Sequence, residues 1–291
     1  MKQHLRFFTL ALLCAMCSVG WGATKNYTFN FSASEIPTGR TSFVLSKDEV
    51  PDTFIMSPKN MASGKMRWIF GMETDAPNPI HCRFTNSTWQ IGNDDKNGEV
   101  RHVNTVTLKS LGYFSNVTKI VFNTLIFSTG GAGTVSLKIG GENCGTYEIP
   151  GLDAINLSES FSGQVEITIN QPETKCQLSM KGITITTEDD VTACGLAFEK
   201  SAYSLEWDAV SFDAPRVSNP NNLSDISYIS SNPAFVTVNE TTGEVESLGN
   251  GGTATIYAFF NGNDSYQFGC ASYTINMTSK ALWTEDFTSG N

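Results

Sequence analysis

The sequence predicts an all-β protein built from two successive β-sandwiches. Apolar and polar residues alternate over short segments, and Gly, Asn, Asp and Pro cut those segments at short intervals. Apart from the first residues, no stretch holds the i, i+3, i+4, i+7 apolar spacing of a helix over successive turns.

The chain opens with a short basic region, Lys2 and Arg6, followed by an almost unbroken apolar run over residues 7–19. Gly20 and Gly22 then stand at the −3 and −1 positions of a cleavage site before Ala23. This is the layout of a secretory signal peptide over residues 1–22, and the run is too short to span a bilayer. Cys14 follows Leu13 and Cys17 follows Met16, where a lipid-attachment site wants a small residue. The expectation is an exported chain, extracellular or at the cell surface, with no membrane insertion after signal cleavage.

Residues 23–187 carry the first sandwich. Period-two segments occur at 27–31, 65–70, 103–108, 119–127, 134–139, 164–169 and 182–186. Val165, Ile167 and Ile169 alternate with Glu166 and Thr168, the pattern of a strand with one buried and one wet face. Thr129-Gly130-Gly131-Ala132-Gly133 and Gly140-Gly141-Glu142-Asn143 read as turns. Residues 188–194 read as a short polar joint. Residues 195–279 repeat the pattern on a smaller scale. There Val236 and Val238 precede the hairpin loop Asn239-Glu240-Thr241-Thr242-Gly243, and Ala254, Ile256, Ala258 and Phe260 alternate with Thr253, Thr255, Tyr257 and Phe259. About 85 residues with strands at this spacing suit an immunoglobulin-like sandwich. Residues 280–291, with Trp283 and Phe287, read as the opening of a further, truncated β-module.

An ordered series of short stretches carries a resemblance. Ser218-Asn219-Pro220-Asn221-Asn222-Leu223 comes first, and Ser230-Ser231-Asn232-Pro233-Ala234-Phe235 follows. Thr242-Gly243-Glu244-Val245, Gly252-Thr253-Ala254-Thr255-Ile256 and Asn263-Asp264-Ser265-Tyr266 continue it, and Ser272-Tyr273-Thr274-Ile275 closes it. Residues 195–278 thereby resemble the bacterial Ig-like domain group 2 (BIG2) in its Bacteroidetes form. The resemblance implies a small Ig-like sandwich used as a spacer or adhesion module, with no active site. Trp89-Gln90-Ile91-Gly92, Phe114-Ser115-Asn116-Val117-Thr118-Lys119 and Met180-Lys181-Gly182-Ile183 are similar to a β-sandwich module of secreted Bacteroidetes proteins. That likeness implies a jelly-roll-like fold for the first sandwich. It says little about a ligand.

The formal net charge is −10. Loss of Lys2 and Arg6 with the signal takes the basic residues from 19 to 17 against 29 acidic ones, leaving −12. Such a balance opposes nucleic acid as a partner, because phosphates need a basic footprint. A glycan or a surface protein is the expected partner.

Cysteine usage gives disulfide candidates but no zinc site. Cys82, Cys144, Cys176, Cys194 and Cys270 follow the signal, with no C-x-x-C pair among them. Export permits disulfides, and the odd number leaves at least one thiol over. Cys144 with Cys176, and Cys194 with Cys270, are the candidate bridges.

Catalytic chemistry finds little support. Adjacent His81 and Cys82 point to opposite faces of a strand, and no nucleophile elbow accompanies His81 or His102. Asp94-Asp95 and Asp189-Asp190 sit in polar stretches where solvation explains them. Gly130–Gly133 lacks the order of a phosphate loop. No cofactor is implied beyond a structural calcium ion, for which Asn93, Asp95 and Asn97 alternate before Gly98. The twelfth position of that loop is Asn104, which cannot supply the bidentate carboxylate. Trp68, Trp89 and Tyr113, with Phe114 beside it, are the aromatic candidates for stacking on a sugar, and Arg101 would supply polar contacts. The expected function is non-catalytic: adhesion, glycan binding or scaffolding. The alternative is the N-terminal accessory region of a larger secreted glycosidase, protease or nuclease.

Overall fold

The computed structural model describes residues 22–31, 42–45, 54–56, 67–74, 80–85, 88–92, 102–128, 131–171, 177–205, 212–248 and 251–277. Residues 1–21 of the expected signal peptide (1–22), the calcium candidates Asn93, Asp95 and Asn97, Arg101, Cys176 and the segment 280–291 lie outside them.

Among the described residues the chain is all β. The first sandwich holds β1 (Ala23–Asn30), β2 (Ser42–Leu45), β3 (Phe54–Met56), β4 (Trp68–Glu73), β5 (Ile80–Phe84) and β6 (Trp89–Ile91). It continues with β7 (Thr105–Phe127), β8 (Gly133–Ile139), β9 (Glu142–Ile149), β10 (Ala154–Asn170) and β11 (Leu178–Asp189).

Two long strands make one hydrogen-bonded sheet into two layers. The first part of β7 lies between β4 and the end of β10, pairing Leu108 with Phe70 and Ile167. Its second part lies between β11 and the start of β10, pairing Ile120 with Ile185 and Ile155. The layers so formed pack face to face. Phe29 of β1 meets Trp68 of β4 at 5.5 Å between ring centroids, and Trp89 of β6 meets Phe70 of β4 at 4.9 Å. Edge-to-face pairs of this kind add to the area they bury.

Sequence periodicity marks 103–108 and 119–127 as two separate segments. Strand β7 instead runs through 23 residues and absorbs the irregularity as bulges. Val106, Leu108 and Phe114 face the core, then Val117, then Ile120 and Phe122, then Leu125 and Phe127. Each three-residue step shifts the inward phase by one. Asn116 (φ 49°) and Thr124 (φ 54°) take up two of the shifts in the left-handed region. A β-branched residue is strained there, so Thr124→Asn is expected to raise stability by about 0.5–1 kcal/mol. Denaturant midpoints of the two chains would check it.

The bend in β10 has its own chemistry. Register shifts between Gln164 and Glu166 turn Val165 N–H away from the ladder. The buried Ser110 hydroxyl accepts that N–H at 2.8 Å and donates to Gly112 O at 2.8 Å. Both backbone groups are thereby satisfied inside the core.

The second sandwich holds β12 (Ala202–Leu205), β13 (Ser227–Ser230), β14 (Val236–Val238), β15 (Val245–Ser247), β16 (Gly252–Phe260) and β17 (Gly269–Met277). One sheet has the order β12-β17-β16-β13, with β12 parallel to β17. The β14–β15 hairpin forms the second layer. Val236, Val238 and Val245 share a core with Ala254, Ile256, Tyr273 and Ile275, so the architecture is immunoglobulin-like. The hairpin loop forms as its sequence predicts. Asn239 Oδ1 accepts Thr241 N–H at 3.0 Å and Thr242 N–H at 2.9 Å, and Gly243 takes φ 76°.

Candidate functional site

The aromatic candidates of the first sandwich are placed elsewhere than at a sugar platform. Trp68 and Trp89 are each 1% exposed. Trp68 is enclosed by Phe29 and Phe31, and Trp89 by Phe31 and Phe70. An alternating strand sends every second side chain to the core, and both tryptophans fall on the inward phase of β4 and β6. Neither has a free face for a pyranose. Phe114 is likewise a core residue.

Tyr113 joins the two sandwiches. Its hydroxyl donates to Asp264 Oδ1, and its N–H donates to Asn261 O at 2.7 Å. Burial, with Asp264 beside it, holds the Tyr113 phenol above its ordinary pKa. Phe268, from the same loop of the second sandwich, enters the core of the first. Its ring meets Phe114 at 5.3 Å and Tyr27 at 5.2 Å.

Arg67 forms a second clasp. It is buried at the entry to β4, with Nη2 donating to Ser227 Oγ at 3.1 Å and the guanidinium 4.1 Å from the Phe259 ring centroid. Arg67 Nε is buried without a hydrogen-bond partner. Desolvation pushes the Arg67 pKa down, the cost of burying a cation against an aromatic face rather than a carboxylate.

The connecting strand is pinned as well. β11 runs through Asp189, so the polar joint assigned to 188–194 begins inside a strand. The buried Asp189 carboxylate accepts Lys25 Nζ at 2.6 Å, Thr187 Oγ1 at 2.7 Å and Val191 N–H at 3.3 Å. Beyond it, Thr192 N–H reaches Ser265 O at 3.1 Å and Gln267 N–H reaches Thr192 O at 2.8 Å. A segment held from both ends cannot act as a loose hinge.

Among the described residues, Cys144, Cys194 and Cys270 are unbridged thiols. The proposed Cys194–Cys270 bridge fails on direction. Cys194 Sγ packs where a Gly269 Cβ would stand, and it shares a cluster with Phe260, the partner of Gly269. Cys270, the next residue, pairs with Phe259 on the other face, towards Arg67. Cys144 lies on β9 and packs against the first core, with its thiol donating to Glu142 O.

Burial pushes the Cys270 thiol up to about 12 and the Tyr27 phenol, which also faces Asp189, up to about 12. Both groups hold their protons more tightly folded than unfolded. Their contribution is therefore intact below the unfolded pKa values and is lost as pH rises above roughly 8.5 for the thiol and 10 for the phenol. Stability should fall on that alkaline side, by at most about 1.4 kcal/mol per pH unit for each group. Chemical denaturation of Cys270→Ala between pH 7 and pH 11 should show a shallower decline than the parent.

The second sandwich carries an open cleft of about 670 Å3 between residues 212–217 and the 242–245 end of the hairpin, with Tyr228 in its wall. Asp213, Arg216 and Glu244 are exposed along it. Gly243 lies flat on Tyr228, where an added Cβ would come within 2.8 Å of the ring. The Phe212 ring is met edge-on by Tyr203 at 5.3 Å. Among the described residues, no group of three or more His, Cys, Asp or Glu side chains is placed to hold a metal ion.

Sequence patterning singled out neither Arg67, Phe268 nor the cleft. One signal for Phe268 was available: a large apolar residue alone in the polar run between β16 and β17.

Fold and joint together define a two-sandwich, all-β protein whose second unit is immunoglobulin-like. No family model and no curated protein matches the chain. Among solved structures it is similar to a family two carbohydrate esterase from Cellvibrio japonicus, with 13% identity and a TM-score of 0.27. The match covers 65% of this chain and 41% of the esterase, so the chain spans less than half of that protein's length. A likeness at this level carries no argument about activity.

Proposed function

We propose that the chain is a secreted or cell-surface modular protein that works without catalysis, in adhesion, glycan binding or scaffolding. The observation that carries this reading is the clasped joint. Buried Arg67 and Phe268, with the Tyr113 hydrogen bonds, fix one sandwich against the other, which serves a stiff supporting arm. Residues 195–279, with their resemblance to bacterial Ig-like group 2 domains, fit the spacer part of such an arm. Within this reading scaffolding is favoured over sugar stacking, because Trp68 and Trp89 are core residues.

The test uses the full secreted chain. Small-angle scattering should fit a single rigid body. Incubation with p-nitrophenyl acetate, xylan and casein should release nothing above a blank. Turnover that follows the protein through every purification step would refute the non-catalytic reading, and a scattering profile requiring several inter-domain arrangements would refute the arm.

A further inference from the structure

Two backbone edges of the immunoglobulin-like sandwich face each other across its cleft. β15 supplies the first. Asn239 N–H bonds Glu244 O at 2.8 Å and Leu248 N–H bonds Phe235 O at 3.0 Å, and the strand register pairs Val238 with Val245 between them. In an antiparallel ladder hydrogen-bonded and non-hydrogen-bonded pairs alternate, so Val238/Val245 is a non-hydrogen-bonded pair. Val245 therefore turns its N–H and C=O away from β14, on the side of the cleft that it lines.

Residues 213–217 supply the second edge. Ala214 precedes Pro215, which holds the backbone extended, and no residue of the segment has a positive φ. Among the described residues, none of its backbone groups makes a backbone hydrogen bond. Ser218, the next residue, is paired with Ala197 in both directions at 3.2 and 2.7 Å. The chain is thus held at one end and unpaired along the cleft wall.

We propose that this cleft takes an extended segment of a partner protein as an added strand, paired through its main chain to Val245 and to residues 213–217. Unpaired backbone edges are completed by another backbone, which is the chemistry of β-strand addition. A volume of about 670 Å3 lies within the range of roughly 300–1,000 Å3 usual for ligand sites. A saccharide fits less well. The Tyr228 ring face is covered by Gly243 and Phe212 is engaged by Tyr203, so neither offers a stacking surface. Asp213 and Glu244 outweigh Arg216 along the cleft by one charge, on a chain of net charge −10, which favours a segment with basic ends. The inference rests on the edge geometry of the second sandwich and is independent of the clasped joint.

The probe is the synthetic peptide KTVTVTK, titrated into the isotopically labelled full chain and followed by amide chemical shifts. Shifts confined to Val245 and residues 213–217 are expected. A form of the peptide N-methylated at alternate residues should bind about tenfold more weakly, having lost main-chain donors. Val245→Pro should do the same: it breaks no bond to β14, so the melting temperature should fall only by the lost core packing of the Val245 side chain. Should that variant fail to fold, the N-methylated peptide decides. Equal binding of the methylated form, no shift at millimolar peptide, or the same shifts produced by xylo-oligosaccharide would overturn the proposal. So would slow exchange of the Val245 amide in the free chain, which would mean that the edge is already paired.

Discussion

Phe268→Ala is expected to cost about 3–5 kcal/mol and to split one cooperative unfolding transition into two. The ring is 6% exposed, yet it belongs by sequence to the second sandwich and by packing to the first. Truncating it removes the edge-to-face contact with Phe114 and the tilted contact with Tyr27, and leaves a cavity at the joint. The loss falls on the coupling between the units, since each keeps its own core. Differential scanning calorimetry reads both effects at once: a lower first transition, and a second that stays near the parent temperature. As a control, Ile256→Val, inside the second core, should lower stability by about 0.5–1.5 kcal/mol without new coupling behaviour. A Phe268→Ala chain that still melts in one transition at the parent temperature would show that the ring does not join the sandwiches.

Gly163→Ala should destabilise the first sandwich by about 3 kcal/mol or more. Gly163 sits at φ 137°, a conformation that residues with a Cβ avoid. An added Cβ would stand 2.3 Å from Gly140 Cα and 2.6 Å from Gly140 N. The obstacle is backbone, so no side-chain rotation relieves it. Gly140 is fixed in turn by Gly140 N–H to Gln164 O at 3.0 Å, and an added Cβ there would meet Ser162 O at 2.3 Å. The two glycines interlock the β8–β9 turn with the bend of β10. For the first sandwich the cost corresponds to a fall of roughly 6–12 °C in melting temperature. Gly141→Ala, one residue along with nothing near its Cβ position, isolates the conformational part because it also has positive φ (90°). It should cost less, and an equal loss in both variants would show that the interlock is not the cause.

Much of the fold was legible because strand periodicity is local. Val135, Leu137 and Ile139, or Ala254, Ile256 and Ala258, declare their buried face within a few residues. The Asn239–Gly243 loop was legible for the same reason, since Asn side-chain acceptance and a glycine with positive φ are short-range chemistry. The bends in β7 and β10 were not. Gly112 and Ser115-Asn116 look the same to a local pattern whether they end a strand or bulge it, and only the partner strands on either side decide.

The site was less legible than the fold. A tryptophan in an alternating strand reads equally as a sugar platform or a core residue, and the opposite layer settles which. Phe29 and Phe31 cover Trp68, and Phe31 and Phe70 cover Trp89, each ring coming from a different part of the chain than the tryptophan it covers. The cysteine pairing was open for a related reason. Cys194 and Cys270 come close, but on opposite faces of β17, a fact about strand direction that spacing does not hold.

The sequence by itself determined that this is an all-β chain of two sandwiches, because alternation and turn chemistry are written within short windows. Tertiary structure alone decided that one pair of long strands serves both layers, that Phe268 crosses to the other core, and that Val245 faces an open cleft. Each of these depends on contacts between residues far apart in the chain, and pairing at that range is fixed by packing and hydrogen-bond closure rather than by local preference.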